Sequence, residues 1–403
     1  MQRRILFTSS IGNILEFYDF ALYGFLVPIL APLFFPVSNP IAALISAYGV
    51  FALSFMVRPL GGYFFGRIGD LYGRRFALSL TILLMGSSCI GISLLPTYQQ
   101  IGIIAPSLLI LLRLIQGFCI GAEFNCSLTY VSEYFANTKY KGSSTPTSFA
   151  TAAGLLGWFL AAFSSWAILK NPFFGDSSWR ILFFFGGIVA VIGFYIRYYL
   201  PETFSPTHQN DEHDSAIKAP FLLVAVFGAY IGVVFYGQFI CLNSYLPLVV
   251  RVSTSDVNLS TTLGIFSYMI FIVPASLLTN KIGIRKTLII SLWLMLLLSY
   301  PLFLLVLSEK LIFMIITCVS MGILLAGFMA PASWIMPNLF PKRSRLRRFS
   351  LSYNLGNCLL GGITPALTIY ILHTFCIESS LIVYHLFITS LTLISTLLLL
   401  KYK

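Results

Sequence analysis

Glu16 and Asp19 stand three residues apart in the stretch GNILEFYDFALYGFLVPIL (12–30), where almost every other residue is apolar. At about 100° per residue they share one face of a helix, and Gly12 and Tyr23 fall on that face too. Carboxylates so placed can bind and release a proton or pair with a cation. A second set lies in RLIQGFCIGAEF (113–124). Gln116, Glu123 and Ser127 fall within about 80° of Arg113 on a helical wheel, whereas Glu133 points away. Arg113 and Glu123 are roughly 15 Å apart along the axis, so they form two polar stations on one face rather than a pair. Arg113 can hold a carboxylate.

The elements that carry these residues follow from composition. Of 403 residues, 58% are hydrophobic and 9% charged, and the mean hydropathy is +0.89. A soluble domain carries about 25% charged residues, so a water-soluble globule is excluded. Apolar runs of about 20 residues or more, the length that crosses a hydrocarbon core, cover 8–35, 41–65, 76–96, 101–135, 143–169 and 178–200. A second set covers 221–250, 259–279, 287–307, 311–340, 351–375 and 380–400. Unpaired backbone groups are too costly in lipid for anything but helices here, so the expectation is an all-α membrane protein with twelve transmembrane helices. A charge at the bilayer centre costs at least about 2.5–3.5 kcal/mol, so Glu16, Asp19 and Arg113 must face a cavity or each other. Asp19 and Arg113 reach similar depth from opposite sides of the membrane, and they meet if the first and fourth spans are neighbours.

Most lysines and arginines, among them Arg3, Arg4, Arg67, Arg74, Arg75, Lys139, Lys141, Arg197, Lys342, Arg343, Arg347, Arg348, Lys401 and Lys403, fall on one side of such a topology. The positive-inside rule then places both termini in the cytoplasm. This arrangement accounts for the net charge of +12, with anionic lipid headgroups as neighbours and no nucleic-acid surface. Arg58, near a span end, reads as a snorkelling side chain. His373 and His385, near outer span ends, read as interfacial. The seven cysteines have no metal-ligand spacing and read as small buried apolar groups. The segment after MQRRILFTSS is too long for a signal peptide and reads as a retained first helix. No nucleophile, base and orienter stand at recognisable spacing, and no phosphate-cradling glycine loop is present. The chain is therefore expected to be no enzyme and to use neither metal nor cofactor.

PETFSPTHQNDEHDSAIKAP (201–220) is polar and lacks apolar periodicity, so it reads as a linker with solvated acids. It divides a bundle over 1–200 from one over 221–403. IGDLYGRR (68–75) echoes in TNKIGIRK (279–286), and QGFCIG (116–121) echoes in MGILLAG from Met321. Two parallel six-helix repeats suit a secondary transporter whose site lies where they meet. In the second half the repeat partners of Arg113, Glu123 and Glu133 are Cys318, Phe328 and Asn338. Only neutral groups such as Tyr230, Tyr236, Gln238, Asn243, Tyr245, Trp334 and Asn354 remain there, so ionic contacts belong to the first half.

GRIGDLYGRR (66–75) resembles the loop motif of the major facilitator superfamily, with Leu71 where an arginine usually stands. Together with GNILEFYDFALYG, RPLGGYFFGRIGD, RLIQGFCIGAEF, SSWRILFFFG, LPET and YNLGNCLLGG, it makes the chain similar to the metabolite:proton symporters, the branch of proline/betaine, α-ketoglutarate and shikimate carriers. The resemblance covers almost the whole chain. It implies two pseudo-symmetric bundles and proton-coupled uptake of a small polar carboxylated metabolite by alternating access. Substrate and proton would be handled by Glu16, Asp19, Tyr23, Arg113, Gln116 and Glu123. A cytoplasmic gating loop would be formed by Gly66, Asp70, Gly73, Arg74 and Arg75. It also implies a monomer in a bacterial inner membrane. An exporter and a non-transporting metabolite sensor are the alternatives. The fifth span, TPTSFATAAGLLGWFLAAF, lacks the glycine-proline pair of an exporter, and no signalling domain accompanies the spans. The stretch ending LLLLKYK does not resemble the long C-terminal coiled coil of osmosensing betaine carriers, so osmotic regulation is not expected.

Overall fold

Several charged side chains lie inside this molecule among its buried apolar core, and many large apolar ones are exposed on its outside, unlike the surface of a soluble protein. Glu16, Asp19, Arg113 and Arg197 are buried, whereas Leu60, Ile103, Phe185, Leu297 and Phe387 are exposed. The computed structural model describes residues 2–36, 40–136, 138, 140–169, 178–199, 201–202, 218–242, 246, 249–250, 252–364, 367–368, 371 and 379–399. Asn243, Tyr245, His373 and most of the 201–220 linker lie outside the described residues.

The first half runs α1 (Gln2–Phe34), α2 (Pro40–Met56), α3 (Arg58–Leu71), α4 (Arg74–Leu94), the single turn α5 (Tyr98–Ile101), α6 (Ile104–Phe135), α7 (Thr145–Leu169) and α8 (Ser178–Tyr198). The second apolar run is two helices, because Pro59 sits in the first turn of α3, where its missing N–H costs nothing. After α9 (Lys218–Tyr236) comes a π-turn over Gly237–Cys241. α10 (Thr254–Ile282), α11 (Ile284–Val306), α12 (Leu311–Asn338), α13 (Arg345–Gly356) with a π-turn over Asn357–Gly361, and α14 (Ser380–Leu399) follow. Among the described residues, nine helices are long and apolar enough to cross a membrane.

The chain forms two compact units. One comprises 1–133 with 153–208, the other 134–152 with 209–403. In the first, α4 packs along α8, and α1 packs against both α8 and α2. Aromatic contacts fix these helices: Phe20 of α1 meets Phe51 and Phe55 of α2 and Trp158 of α7. Phe17 meets Phe124 of α6, with ring centroids 5.6 Å apart. The fourth apolar run is thereby a neighbour of the first, as the pairing of Asp19 with Arg113 requires.

In the second unit α12 packs against α10 and α11, and α9 packs against α13 and α14. Asn280, near the end of α10, accepts the Ser144 N–H at 3.1 Å and donates to the hydroxyls of Ser143 and Thr145 at 2.9 Å each. It thus satisfies backbone at the start of α7, the work an N-capping side chain does. Ser333 of α12 adds a 2.9 Å hydrogen bond to Thr147. Phe328, the repeat partner of Glu123, is packed edge-on to Tyr230 at 4.5 Å. Cys318, the repeat partner of Arg113, accepts from Gln238 at 3.6 Å. A cavity of about 20 Å³ in this unit is lined by Gln238, Ser299, Phe303, Thr317, Met321 and His385. His385 is 6% exposed, so it is buried inside the second unit rather than interfacial. α14 packs against α9 and α11, and His385 lines the cavity with Gln238 of the π-turn that follows α9 and Ser299 and Phe303 of α11.

Candidate functional site

The face of α1 that carries Glu16 and Asp19 is turned inward, and its two carboxylates go to different partners. Asp19 Oδ2 lies 3.7 Å from Nη1 of Arg113 on α6. The same Nη1 donates to Gln116 Oε1 at 2.7 Å. Gln116 Nε2 donates to the sulfur of Cys89 on α4 at 3.5 Å, and the Cys89 thiol donates to Asp19 Oδ1 at 3.1 Å. Four side chains from three helices therefore close a ring. Tyr23 lies beneath it, with the Arg113 guanidinium 4.1 Å from its ring centroid and its hydroxyl donating to Ala47 O at 3.0 Å. The ring is not saturated: among the described residues Asp19 Oδ2 and the Nε and Nη2 of Arg113 have no hydrogen-bond partner. One acceptor and one edge of a guanidinium fork, the geometry that takes a carboxylate by two parallel bonds, are left available.

The second station lies deeper along α6. Glu123 Oε1 is 2.5 Å from Nη2 of Arg197 on α8, and its other oxygen accepts from the Thr81 hydroxyl of α4. Arg197 Nη1 donates to Leu78 O at 2.8 Å. Gly12 of α1 presses against this pair: a Cβ there would meet the Arg197 guanidinium and the Glu123 carboxylate, so only glycine lets α1 come so close. Glu16 is 1% exposed and has Glu123, Arg58 and Arg197 as electrostatic neighbours. Arg58 does not snorkel. It is buried, with its guanidinium carbon 3.9 Å from the Phe55 ring centroid and 4.4 Å from that of Phe20, a cation–π sandwich.

At the junction of α3 and α4, Asp70, Arg74 and Arg75 of the loop expected to gate form a network with Glu133 and Glu202. Arg74 is fully buried and paired with Asp70 one turn earlier. Its Nε and Nη2 each reach an oxygen of Glu133 at 3.2 Å, and its Nη1 donates to Gly69 O at 2.8 Å. Glu133, although off the Arg113 face, is thus tied to α4. Glu202, expected as a solvated linker acid, accepts the backbone N–H groups of Arg74 at 2.8 Å and Arg75 at 3.1 Å. It caps α4 where Gly73, at φ 101°, offers no side chain. A Cβ on Gly73 would meet the Glu202 carboxylate. Tyr130 donates to Pro201 O at 2.8 Å and anchors the segment. Gly66 is buried within α3, and the Arg75 side chain is exposed.

All six expected substrate and proton residues thus stand in the first unit, and of the three carboxylates among them Asp19 and Glu123 lie against arginines, whereas Glu16 meets the Phe124 backbone. Sequence reasoning passed over three participants. Arg197 sits in the last turn of α8, where a basic residue reads as surface charge. Cys89 and Thr81 look like packing residues until their partners on other helices are known.

Residues 5–221 match the sugar (and other) transporter family model, and 231–402 match that of the major facilitator superfamily. The chain is 30% identical over 393 residues to the proline/betaine transporter of Escherichia coli, covering 92% of this chain and 78% of that protein. It is 29% identical to the glycine betaine/proline/ectoine/pipecolic acid transporter of Dickeya dadantii, with the same coverage. Its fold matches the proton:xylose symporter XylE with a TM-score of 0.80 at 18% identity, over 98% of this chain and 94% of that one. The human organic anion transporter MFSD10 matches with a TM-score of 0.75 at 14% identity, over 99% of both chains. The chain belongs to the major facilitator superfamily and, within it, to the metabolite:proton symporter family of the proline/betaine carriers.

Proposed function

We propose that this carrier takes up a small zwitterionic carboxylate of the proline or glycine betaine kind together with a proton, by alternating access. The observation that supports this most is the unsaturated Asp19–Arg113 pair. A zwitterion offers a carboxylate to the free edge of Arg113 and a cationic nitrogen to Asp19, replacing one loose ion pair with two. An uncharged sugar offers neither. The relatives named as proline and betaine transporters carry substrates of this chemistry. One proton moving down 100 mV supplies about 2.3 kcal/mol, enough for a roughly fiftyfold gradient.

In this reading the chain is a monomer of twelve spans in a bacterial inner membrane, with bundles over 1–200 and 221–403, a cytoplasmic linker over 201–220 and both termini in the cytoplasm. Glu16, Asp19, Tyr23, Arg113, Gln116 and Glu123 handle substrate and proton. Gly66, Asp70, Gly73, Arg74 and Arg75 belong to the cytoplasmic gate, and the basic residues there meet anionic headgroups. No enzymatic step is involved. The test is uptake of labelled proline and glycine betaine by vesicles containing the purified protein, under an inward proton gradient. Accumulation that a protonophore abolishes is expected; uptake indifferent to the gradient, or none of either compound, refutes the proposal.

A further inference from the structure

Three carboxylates, Glu16, Asp19 and Glu123, are buried at the two stations of the first unit, together with three arginines, Arg58, Arg113 and Arg197. The charges balance, but the pairing is incomplete. Asp19 lies against Arg113 and Glu123 against Arg197. The remaining arginine, Arg58, is turned onto the rings of Phe20 and Phe55 instead of onto a carboxylate. Among the described residues Glu16 makes no ion pair, and its Oε2 is buried without a hydrogen-bond partner.

We infer that Glu16, rather than Asp19 or Glu123, is the carboxylate that takes and gives the coupled proton; this rests on the symport reading above. A proton arriving at Asp19 or Glu123 must compete with an arginine already in place, and removing one partner of a buried pair strands the other charge. At Glu16 it breaks no ion pair. The groups that face Glu16 fit this role. Glu123 and the Cys119 thiol of α6, Arg58 of α3 and Arg197 of α8 are its electrostatic neighbours, and the Phe124 backbone N–H of α6 is its hydrogen-bond partner. Glu16 therefore sits between a like charge and two guanidinium groups already engaged elsewhere, so its protonation alters the field on both. About one helical turn away on α1 stands Asp19, which keeps its charge beside Arg113 and can face the cationic end of the cargo. Proton and substrate then occupy adjacent turns of one helix without competing for one carboxylate, as symport requires.

The test uses reconstituted vesicles and labelled proline and glycine betaine. Wild-type protein must first accumulate one of them under a proton gradient; failure at that point sinks the symport reading itself. Given that success, Glu16→Gln is expected to lose gradient-driven accumulation, its internal-to-external ratio falling to about one from as much as roughly fifty. Substrate counterflow, which needs no net proton movement, persists. Accumulation retained in Glu16→Gln overturns the inference and leaves the symport reading standing. Should the variant not fold, infrared difference spectra of wild-type protein across a pH step decide the matter. A carboxylic-acid band that moves on ¹³C-glutamate labelling supports the assignment, and one that moves only on ¹³C-aspartate labelling refutes it.

Discussion

Glu123 Oε1 stands 2.5 Å from Nη2 of Arg197, an ion pair between α6 and α8 whose members are almost wholly buried. Breaking one side of such a pair typically costs about 3–5 kcal/mol, because the stranded charge remains in a poor solvent. Arg197→Gln is therefore expected to lower the unfolding temperature sharply in detergent. The double variant Glu123→Gln/Arg197→Gln recovers a good part of the loss. Equal stability of Arg197→Gln and wild type would contradict the pairing.

Gly12→Ala probes the same station from α1. The added Cβ meets the Arg197 guanidinium and the Glu123 carboxylate, and neither can retreat without opening the ion pair. Reduced uptake and reduced stability are expected together, measured by proline counterflow and thermal unfolding. Gly24→Ala, where the nearest atom to an added Cβ is 3.8 Å away, serves as the tolerated control.

Glu202→Ala removes the acceptor for the backbone N–H groups of Arg74 and Arg75. Loss of a cap costs about 0.5–2 kcal/mol, and a small drop in melting temperature is expected. Arg74→Ala, which strands both Asp70 and Glu133, is expected to be several times more damaging. Comparable effects from the two variants, read in the same unfolding assay, would show that the network is not organised around Arg74.

Arg113→Lys keeps the charge but loses the planar fork. If the free Nε and Nη2 edge receives the carboxylate, KM for proline or glycine betaine rises by about tenfold or more, the equivalent of about 1.4 kcal/mol. An unchanged KM would place the carboxylate elsewhere.

The inward face of α1 could be read from the sequence because carboxylates in an apolar span have few tolerable environments, and Arg113 was the natural counter-charge at matching depth. Its depth matches that of Asp19 by span geometry, and the pairing follows once the first and fourth apolar runs are neighbours, as the Phe17–Phe124 contact makes them. The partners of Glu123 and Glu202 do not. Arg197 and the α4 N-terminus are brought to them by helix packing, and neither position carries a local pattern that distinguishes a buried arginine or a cap from a surface charge. His385 shows the same limit: a histidine near a span end looks interfacial until the packing of α14 on α9 and α11 is known. Cys89 was legible only as small and apolar, because a thiol donor is identified by the acceptor it meets, here Asp19.

The central claim, that cargo held at the Asp19–Arg113 station crosses together with a proton, is tested most directly by proton movement itself. Vesicles containing the protein and a trapped pH dye, with no gradient imposed, receive external proline or glycine betaine. The account predicts acidification of the lumen with wild-type protein and none with Arg113→Gln. Entry of labelled substrate into wild-type vesicles without acidification would contradict it.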